Sequence, residues 1–256
     1  MIHIKTKEEI AILREGGRRL ATILHTLAGK VAPGVSSLEI DRMAKELAEQ
    51  GRDKPAFLGY RPEGVKKPYP ASICISINDE VVHGIPREKK VFKEGDIVTL
   101  DMGLIHKDLV TDSAITIIVG KGDKNAERLV ESTRAALRKG IAAAKAGNTV
   151  GDIGYAIEQF VKPLGYGQAE GLAGHGVGYH LHEDPYVPNT GQKGDGPVLR
   201  VGMVIAIEPM LTEGSGEVTF DRDGYTVRTK DGSRSTQCEH TIAITENGPF
   251  ILTDLG

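Results

Sequence analysis

The chain has 256 residues, 39% of them hydrophobic, and a formal net charge of -3, enough apolar content to bury a sizeable core as one large domain or two halves. The mildly acidic balance gives no global reason to expect nucleic-acid binding. Two cysteines, Cys74 and Cys238, with neither a signal-peptide pattern at Met1 nor an apolar run of membrane-spanning length, predict reduced thiols, a cytoplasmic location and no membrane contact.

Thr6 and Glu9 form a capping-box pattern that predicts an amphipathic helix through Leu13, Leu20, Ile23, Leu24 and Leu27, stopped by Pro33 and Gly34. A second helix is expected from Ser37 to Gln50, ending at Gly51. The later half repeats the plan: an Ala-rich helix from Asn125 to Gly147, then another from Thr149 to Leu164, closed by Gly165. Strands follow the helices in each half, and there the parallels become specific. In "EGDIVTLD" Asp101 lies six residues after Gly95, and in "VGMVIAIE" Glu208 lies six residues after Gly202. "DSAITI" from Asp112 answers "EHTIAI" from Glu239, a carboxylate leading an alternating β-branched run. These matches predict an internal duplication, with halves of 1–120 and 121–256 that each supply two carboxylates to a site between them.

Asp101, Asp112, Glu208 and Glu239, with His175, are the candidate metal ligands. Four anionic groups gathered at one site repel strongly unless cations neutralise them, and two divalent ions balance that charge. Carboxylate oxygens are hard donors suited to Mn(II), Fe(II) and Co(II), and a single imidazole adds affinity for Zn(II). Taken singly, Asp112 reads as a turn acid at a strand end, and Glu208 in "IAIEPM" reads equally as a ligand or a structural acid. His3, His25 and His106 read as ordinary surface or boundary histidines. In "GHGVGYHLHEDP" His180 and His182 share one face of an expected strand, so a rival reading makes them a metal pair and leaves His175 in a glycine-rich turn. Spacing does not decide between these. His83, before Gly84 and Pro86, reads equally as catalytic or structural.

Together, "CISINDEVVHGIP", "VTLDMG" with Asp112 eleven positions after Asp101, "GHGVGYHLHEDP", "IEPM" and "EHTI" resemble the type I methionine aminopeptidases. The match runs in order over nearly the whole chain. The resemblance implies an α+β pita-bread fold, a single catalytic domain of two pseudo-symmetric helix-helix-strand halves around a dinuclear metal site. It implies that Asp101 chelates one ion, His175 and Glu208 the other, and Asp112 and Glu239 both, which leaves His180 outside the ligand set. The ions implied are two of Mn, Fe(II), Co or Zn, with a monovalent cation mapping to Asn78, Glu80 and Ser235.

The implied activity is removal of the initiator methionine from peptides and nascent proteins whose second residue is small. Glu208 would shuttle the proton, His182 stabilise the oxyanion and His83 bond the scissile amide, with Phe57, Tyr60, Tyr69, Cys74, Leu181 and Tyr225 lining the methionine pocket. Two features depart from the commonest family pattern: Tyr225 stands where an indole is frequent, and "RPEGVKKP" between Tyr60 and Tyr69 is longer than the usual turn. The alternatives are an Xaa-Pro aminopeptidase or prolidase of the same fold, and a non-catalytic peptide-binding module. Basic residues at Lys66, Lys67, Arg87, Lys89, Lys90, Lys93, Arg222, Arg228, Lys230 and Arg234 predict weak contact of a monomeric enzyme with the ribosome.

Overall fold

The computed structural model describes residues 1–62 and 64–255; Glu63, inside the long Tyr60–Tyr69 loop, lies outside the described residues. The first half holds helices α1 (Lys7–Ala28) and α2 (Ser37–Gln50), then strands β1 (Lys54–Pro55), β2 (Cys74–Ile77), β3 (Glu80–Val82), β4 (Ile97–His106) and β5 (Leu109–Ile118). The second holds α3 (Lys124–Ala143), α4 (Val150–Val161) with a short 3-10 turn (Lys162–Leu164), and β6 (Gly167–Gln168), β7 (Ala173–Gly176), β8 (Glu183–Pro188) and β9 (Val204–Ile207). β10 (Met210–Thr212), β11 (Val218–Phe220), β12 (Val227–Thr229), β13 (Ser235–Gln237), β14 (Glu239–Thr245) and β15 (Gly248–Ile251) complete it.

Reciprocal capping boxes open three helices, at Thr6 with Glu9, Ser36 with Glu39 and Thr149 with Asp152, each satisfying backbone donors that a helix start leaves free. Three ends differ from expectation: α1 stops at Ala28, before Pro33 and Gly34, because the chain turns at Gly29, whose N–H meets the His25 and Leu27 carbonyls. α3 stops at Ala143, short of Gly147, because Ala144 turns out of helical geometry and the Asn148 amide takes the Ala143 carbonyl. α4 tightens into the 3-10 turn at Lys162 because Pro163 has no N–H for the Gln159 carbonyl, and Gly165, left-handed at φ 77°, ends it.

A nine-stranded antiparallel sheet runs β1-β4-β5-β14-β9-β7-β8, with β2 joined to β4 and β15 to β14. Its spine is the β4–β5 hairpin, paired from Ile97↔Ile118 to His106↔Leu109. Lys107 and Asp108 turn it with φ of 47° and 65°, the left-handed pair that matches strand twist in a two-residue hairpin. β5 meets β14 at Glu239↔Ala114 and His240↔Ser113, which joins the two halves of the chain. Gly95 and Gly202 open the turns before β4 and β9 with φ of 84° and 90°.

The helices cover one side of this sheet. Leu20, Leu24, Leu27, Ile40 and Ala44 of α1 and α2 pack on Ile75, Val98, Leu100 and Met102, while Leu129, Leu137, Ile153 and Ile157 of α3 and α4 pack on Ile205, Ile207, Ile242 and Ile244. α1 lies so close that a Cβ on Gly17 would sit 2.2 Å from the Leu252 carbonyl oxygen. His106, expected at the surface, is buried under α1 with Nδ1 2.7 Å from Asp53 and Nε2 3.3 Å from Glu15. Its place at the last ladder position of β4 puts it under the helix, which a reading of local polarity misses.

Gly17→Ala should therefore lower unfolding free energy by about 1–3 kcal/mol, the scale of overpacking, although alanine favours helix. Thr22→Ala, on the exposed face of the same helix, should change it by less than about 0.5 kcal/mol. Urea melts of both variants decide it; equal small shifts would refute the close packing of α1.

Candidate active site

Five donors converge on the sheet face opposite the helices. In the β4–β5 ladder Asp101 faces Ala114 and Asp112 faces Gly103, so both carboxylates project from the same face. Asp112 is therefore inside a ten-residue strand, and the reading of it as a strand-end turn acid is corrected: the ladder begins at Leu109, before the apolar alternation becomes visible. Glu239 opens β14 beside Ala114, and Glu208 follows the last residue of β9. His175 lies within β7, where Cβ atoms on Gly174 or Gly176 would strike the Ala206 or Asp184 carbonyl oxygens at 2.2 Å. The flanking glycines thus serve strand packing around His175, not a free turn.

His175 Nε2 is 3.7 Å from Glu208 Oε1 and 3.9 Å from Asp112 Oδ2. Donor atoms of Asp112, His175 and Glu239 all lie within 4.8 Å of one another. Asp101 Oδ1 and Glu239 Oε1 are buried with no hydrogen-bond partner among the described residues, a costly state for a polar atom unless a cation meets it. Burial, then repulsion from Asp112 and Glu208, pushes Asp101 and Glu239 well above the usual carboxylate range. Burial likewise drives Glu208 well up, with Asp112 adding to it, and takes Asp112 up to about 7. Burial lowers His175 to about 4, so its imidazole is neutral and free to ligate. Hard oxygens, one neutral imidazole and orphaned buried acids fit divalent metal ions.

A cavity of about 210 Å³ rises from these donors. All eight residues expected to bind substrate line it: Phe57, Tyr60, Tyr69, Cys74, His83, Leu181, His182 and Tyr225. Tyr69 meets Phe57 and Tyr225 edge-on, with ring centroids 6.4 and 5.1 Å apart. Sequence reasoning missed Pro62, Val65, Phe220 and Gly224 at the rim; Phe220 is 70% exposed and in sequence looks like any solvent-facing strand residue. The extra length between Tyr60 and Tyr69 is pinched off at its stem, where Tyr69 N donates to Tyr60 O at 2.7 Å and Gly59 N to Tyr69 O at 2.9 Å. The Tyr225 hydroxyl then ties the loop down through Lys67 O at 2.5 Å.

His182 and His83 line the same cavity as the four carboxylates. Tyr60 Oη lies 2.7 Å from His182 Nδ1, and the His182 and His175 rings meet at 4.3 Å. Desolvation, then His175 and His83, holds His182 below the usual histidine range, and desolvation alone does so for His83. His83 occupies the left-handed region at φ 58°, a strain that persists only when the surroundings fix it. His180 is exposed and outside the cavity, and residues 177–182 are not a strand, so the shared face expected for His180 and His182 does not form.

Behind the five donors sits a layer of polar groups that sequence reasoning also missed. Gln237 Nε2 donates to Glu208 Oε2 at 3.0 Å, Asn189 Nδ2 to Glu208 O at 3.0 Å, and Ser113 Oγ to Glu239 O at 2.8 Å. Thr241 Oγ1 accepts from Asp112 N and donates to its carbonyl. Period-two alternation from Glu239 back to Gln237 was the one available signal for any of them. Asn78, Glu80 and Ser235 meet through main-chain carbonyls: Ser235 Oγ donates to Asn78 O at 2.9 Å and Glu80 O at 3.1 Å. The Glu80 carboxylate itself is taken by Lys90 and Arg228.

These pKa directions fix a stability window for metal-stripped protein. The raised carboxylates keep protons in the folded state that the unfolded chain has lost, so they weaken stability from about pH 4 upward. The lowered histidines act oppositely, but only up to about pH 6.5, where the unfolded histidines have also lost their protons. Above about pH 7 the carboxylates lead, with the raised Cys74 and Cys238 thiols acting in the same sense and the lowered Lys90 against them toward the alkaline end, and the melting temperature should fall toward about pH 8.5. Mn(II) should restore it most at the alkaline end, because ligation needs the deprotonated acids. A stripped protein that grows more stable over this interval would contradict the site.

Residues 11–246 match the model of metallopeptidase family M24. The methionine aminopeptidase of Aquifex aeolicus is 47% identical over 99% of both chains, and methionine aminopeptidase 1 of Mycobacterium tuberculosis is 43% identical over 96% of this chain and 92% of its own. The crystal structure of the Thermotoga maritima methionine aminopeptidase superposes with a TM-score of 0.94 at 44% identity, covering 99% of this chain and 100% of that one. A prolidase from Pyrococcus horikoshii reaches 0.78 at 25% identity, and only 64% of its chain is covered. The pita-bread fold is thereby shown and the prolidase alternative disfavoured. The chain belongs to metallopeptidase family M24, on its methionine aminopeptidase branch.

Proposed function

We propose that the enzyme removes the initiator methionine from peptides and nascent proteins whose second residue is small. The observation that carries this reading is the joining of a metal-type donor cluster to an aromatic-lined cavity of about 210 Å³. Two divalent ions balance the four carboxylates: Asp101 would hold one, His175 and Glu208 the other, with Asp112 and Glu239 shared. When bound, such ions lower the pKa of a water nucleophile and polarise the scissile carbonyl.

The chain's own residues do the rest. Phe57, Tyr60, Tyr69, Cys74, Leu181 and Tyr225 enclose an unbranched thioether, which suits such a flexible apolar chain. A protonated Tyr60 hydroxyl donating to His182 Nδ1 leaves the ring proton on Nε2, where it can stabilise charge developing on the carbonyl oxygen. His83 bonds the scissile amide from its constrained turn. Gln237 holds one oxygen of Glu208, leaving the other to carry a proton toward the departing amine. A monovalent cation at Asn78, Glu80 and Ser235 would rest on main-chain carbonyls, since the Glu80 carboxylate is engaged.

Met-Ala-Ser should be hydrolysed in the presence of Mn(II), Fe(II), Co(II) or Zn(II), with Met-Trp-Ser and Ala-Pro-Ser poor substrates and a chelator abolishing turnover. His182→Ala should lower kcat by about 10- to 1000-fold while metal content holds, whereas Glu239→Ala should lose metal. Preference for Ala-Pro-Ser would overturn this reading in favour of a prolidase-like peptidase.

We infer monomeric action on nascent chains in the cytoplasm; both cysteines are free and buried, and no helix among the described residues is long and apolar enough to cross a membrane. Ribosome contact rests on fewer cations than the sequence offered. Arg87, Lys90, Arg228, Lys230 and Arg234 are engaged by Asp223, Glu80, Asp79, Glu217 and Asp123 among others; of the remaining Lys66, Lys67, Lys89, Lys93 and Arg222, the first two and Arg222 lie beside the cavity mouth. Charge reversal of these three to Glu should reduce co-sedimentation with ribosomes at low salt and spare tripeptide cleavage; undiminished co-sedimentation would remove them as a docking patch.

A further inference from the structure

Lys5 and Glu183 form an ion pair with Nζ 2.5 Å from Oε2 and side chains only 1% and 2% exposed. No other Lys or Arg pair with a carboxylate among the described residues is so enclosed on both sides. Breaking such a pair from one side leaves a buried charge, whereas an apolar pair of the same volume would serve stability as well. Its position therefore asks for a reason beyond stability.

The other Glu183 oxygen, Oε1, accepts the backbone N–H of Tyr179 at 2.5 Å and of His180 at 2.9 Å. That carboxylate thus closes the segment that carries Leu181 and His182 into the cavity. Burial works to raise the Glu183 pKa, but Lys5 and the two amides prevail and hold it below the ordinary range. The Lys5 stem lies across Gly178, where a Cβ would be 2.4 Å from Lys5 Cε. Lys5 N donates to Gly202 O at 2.8 Å, which anchors the strap one turn before β9. Tyr179 is tied in from the same side, its hydroxyl donating at 2.7 Å to Glu9, which also closes the α1 capping box.

We propose that Lys5 is a positioning residue for the reaction: by fixing the Glu183 carboxylate it sets the 179–182 turn, and through it the placement of His182 in the cavity it shares with the four carboxylates. This rests on the proposed role of His182. Lys5 touches neither substrate nor ligand, so its influence on turnover must pass through that turn.

Three measurements test it, on metal-loaded enzyme except where stated. Lys5→Met should lower kcat on Met-Ala-Ser by about 10- to 100-fold with KM changed by less than about 3-fold, and Lys5→Arg should recover part of the loss. In a His182→Ala background the same Lys5→Met change should cost less than about 2-fold, because the residue it acts through is gone. Amide exchange, read without substrate or turnover, should speed up at Tyr179 and His180 by about 100-fold in Lys5→Met while amides of α3 keep their protection. If Lys5→Met does not fold, Glu183→Gln, which keeps an oxygen acceptor for the amides but loses the charge, takes its place in the cycle and in the exchange measurement. Multiplicative losses in the cycle, or unchanged exchange at the two amides, would overturn the proposal. Wild-type failure on Met-Ala-Ser would instead overturn the functional reading, while the exchange result would still judge the clamp.

Discussion

Four carboxyl groups packed against one another in a dry site set the terms for the rest of this protein. Each is pushed toward protonation by burial, and the charge of Asp112 pushes Asp101, Glu208 and Glu239 further. A fold tolerates that only if the acids are held by elements too well anchored to splay apart. The β4–β5 hairpin, β9 and β14 provide this, with helices filling the opposite face of the sheet. Repulsion that would open a loop is here borne by a continuous ladder. The same repulsion becomes affinity when cations arrive.

The polar groups behind the five donors follow from the same constraint. Thr241 and Ser113 bond the main chain of Asp112 and Glu239, and Asn189 that of Glu208, so carboxylate oxygens remain free to face inward. Two contacts do reach carboxylate oxygens: the Ser113 backbone N–H donates to Asp112 Oδ1, and the Gln237 amide donates to Glu208 Oε2. The Gln237 bond makes the two oxygens of Glu208 unequal, a difference a proton carrier can use.

Much of this was legible in the sequence because the signals were local or had a short period. Thr6 with Glu9 marked a helix start whose capping box forms as expected, Ser37 to Gln50 marked the bounds of α2, and the candidate metal donors stood beside apolar β-branched runs. Cavity residues came from resemblance: nothing in the spacing of Phe57, Cys74 and Tyr225 brings them together. Long-range burial was the hidden part. His106 looks like a surface residue until α1 lies on it, and Lys90 looks like a solvated cation until Glu80 meets it. Lys5 gives no local sign that its partner is Glu183. Backbone detail was hidden too, as at Ala144, where helix geometry ends without a glycine or proline to announce it.

The backbone pair between Tyr60 and Tyr69 has a consequence for how this family can diversify. Because the main chains of Tyr60 and Tyr69 are paired at the neck of the loop, loop positions that neither line the cavity, as Pro62 and Val65 do, nor hold Tyr225, as the Lys67 carbonyl does, can be gained, lost or recharged while the neck stays closed. Loop-closure entropy grows only slowly with length, so stability offers little resistance to such change. The loop thus offers a permissive site for grafting a reporter or an affinity handle at the entrance of the enzyme.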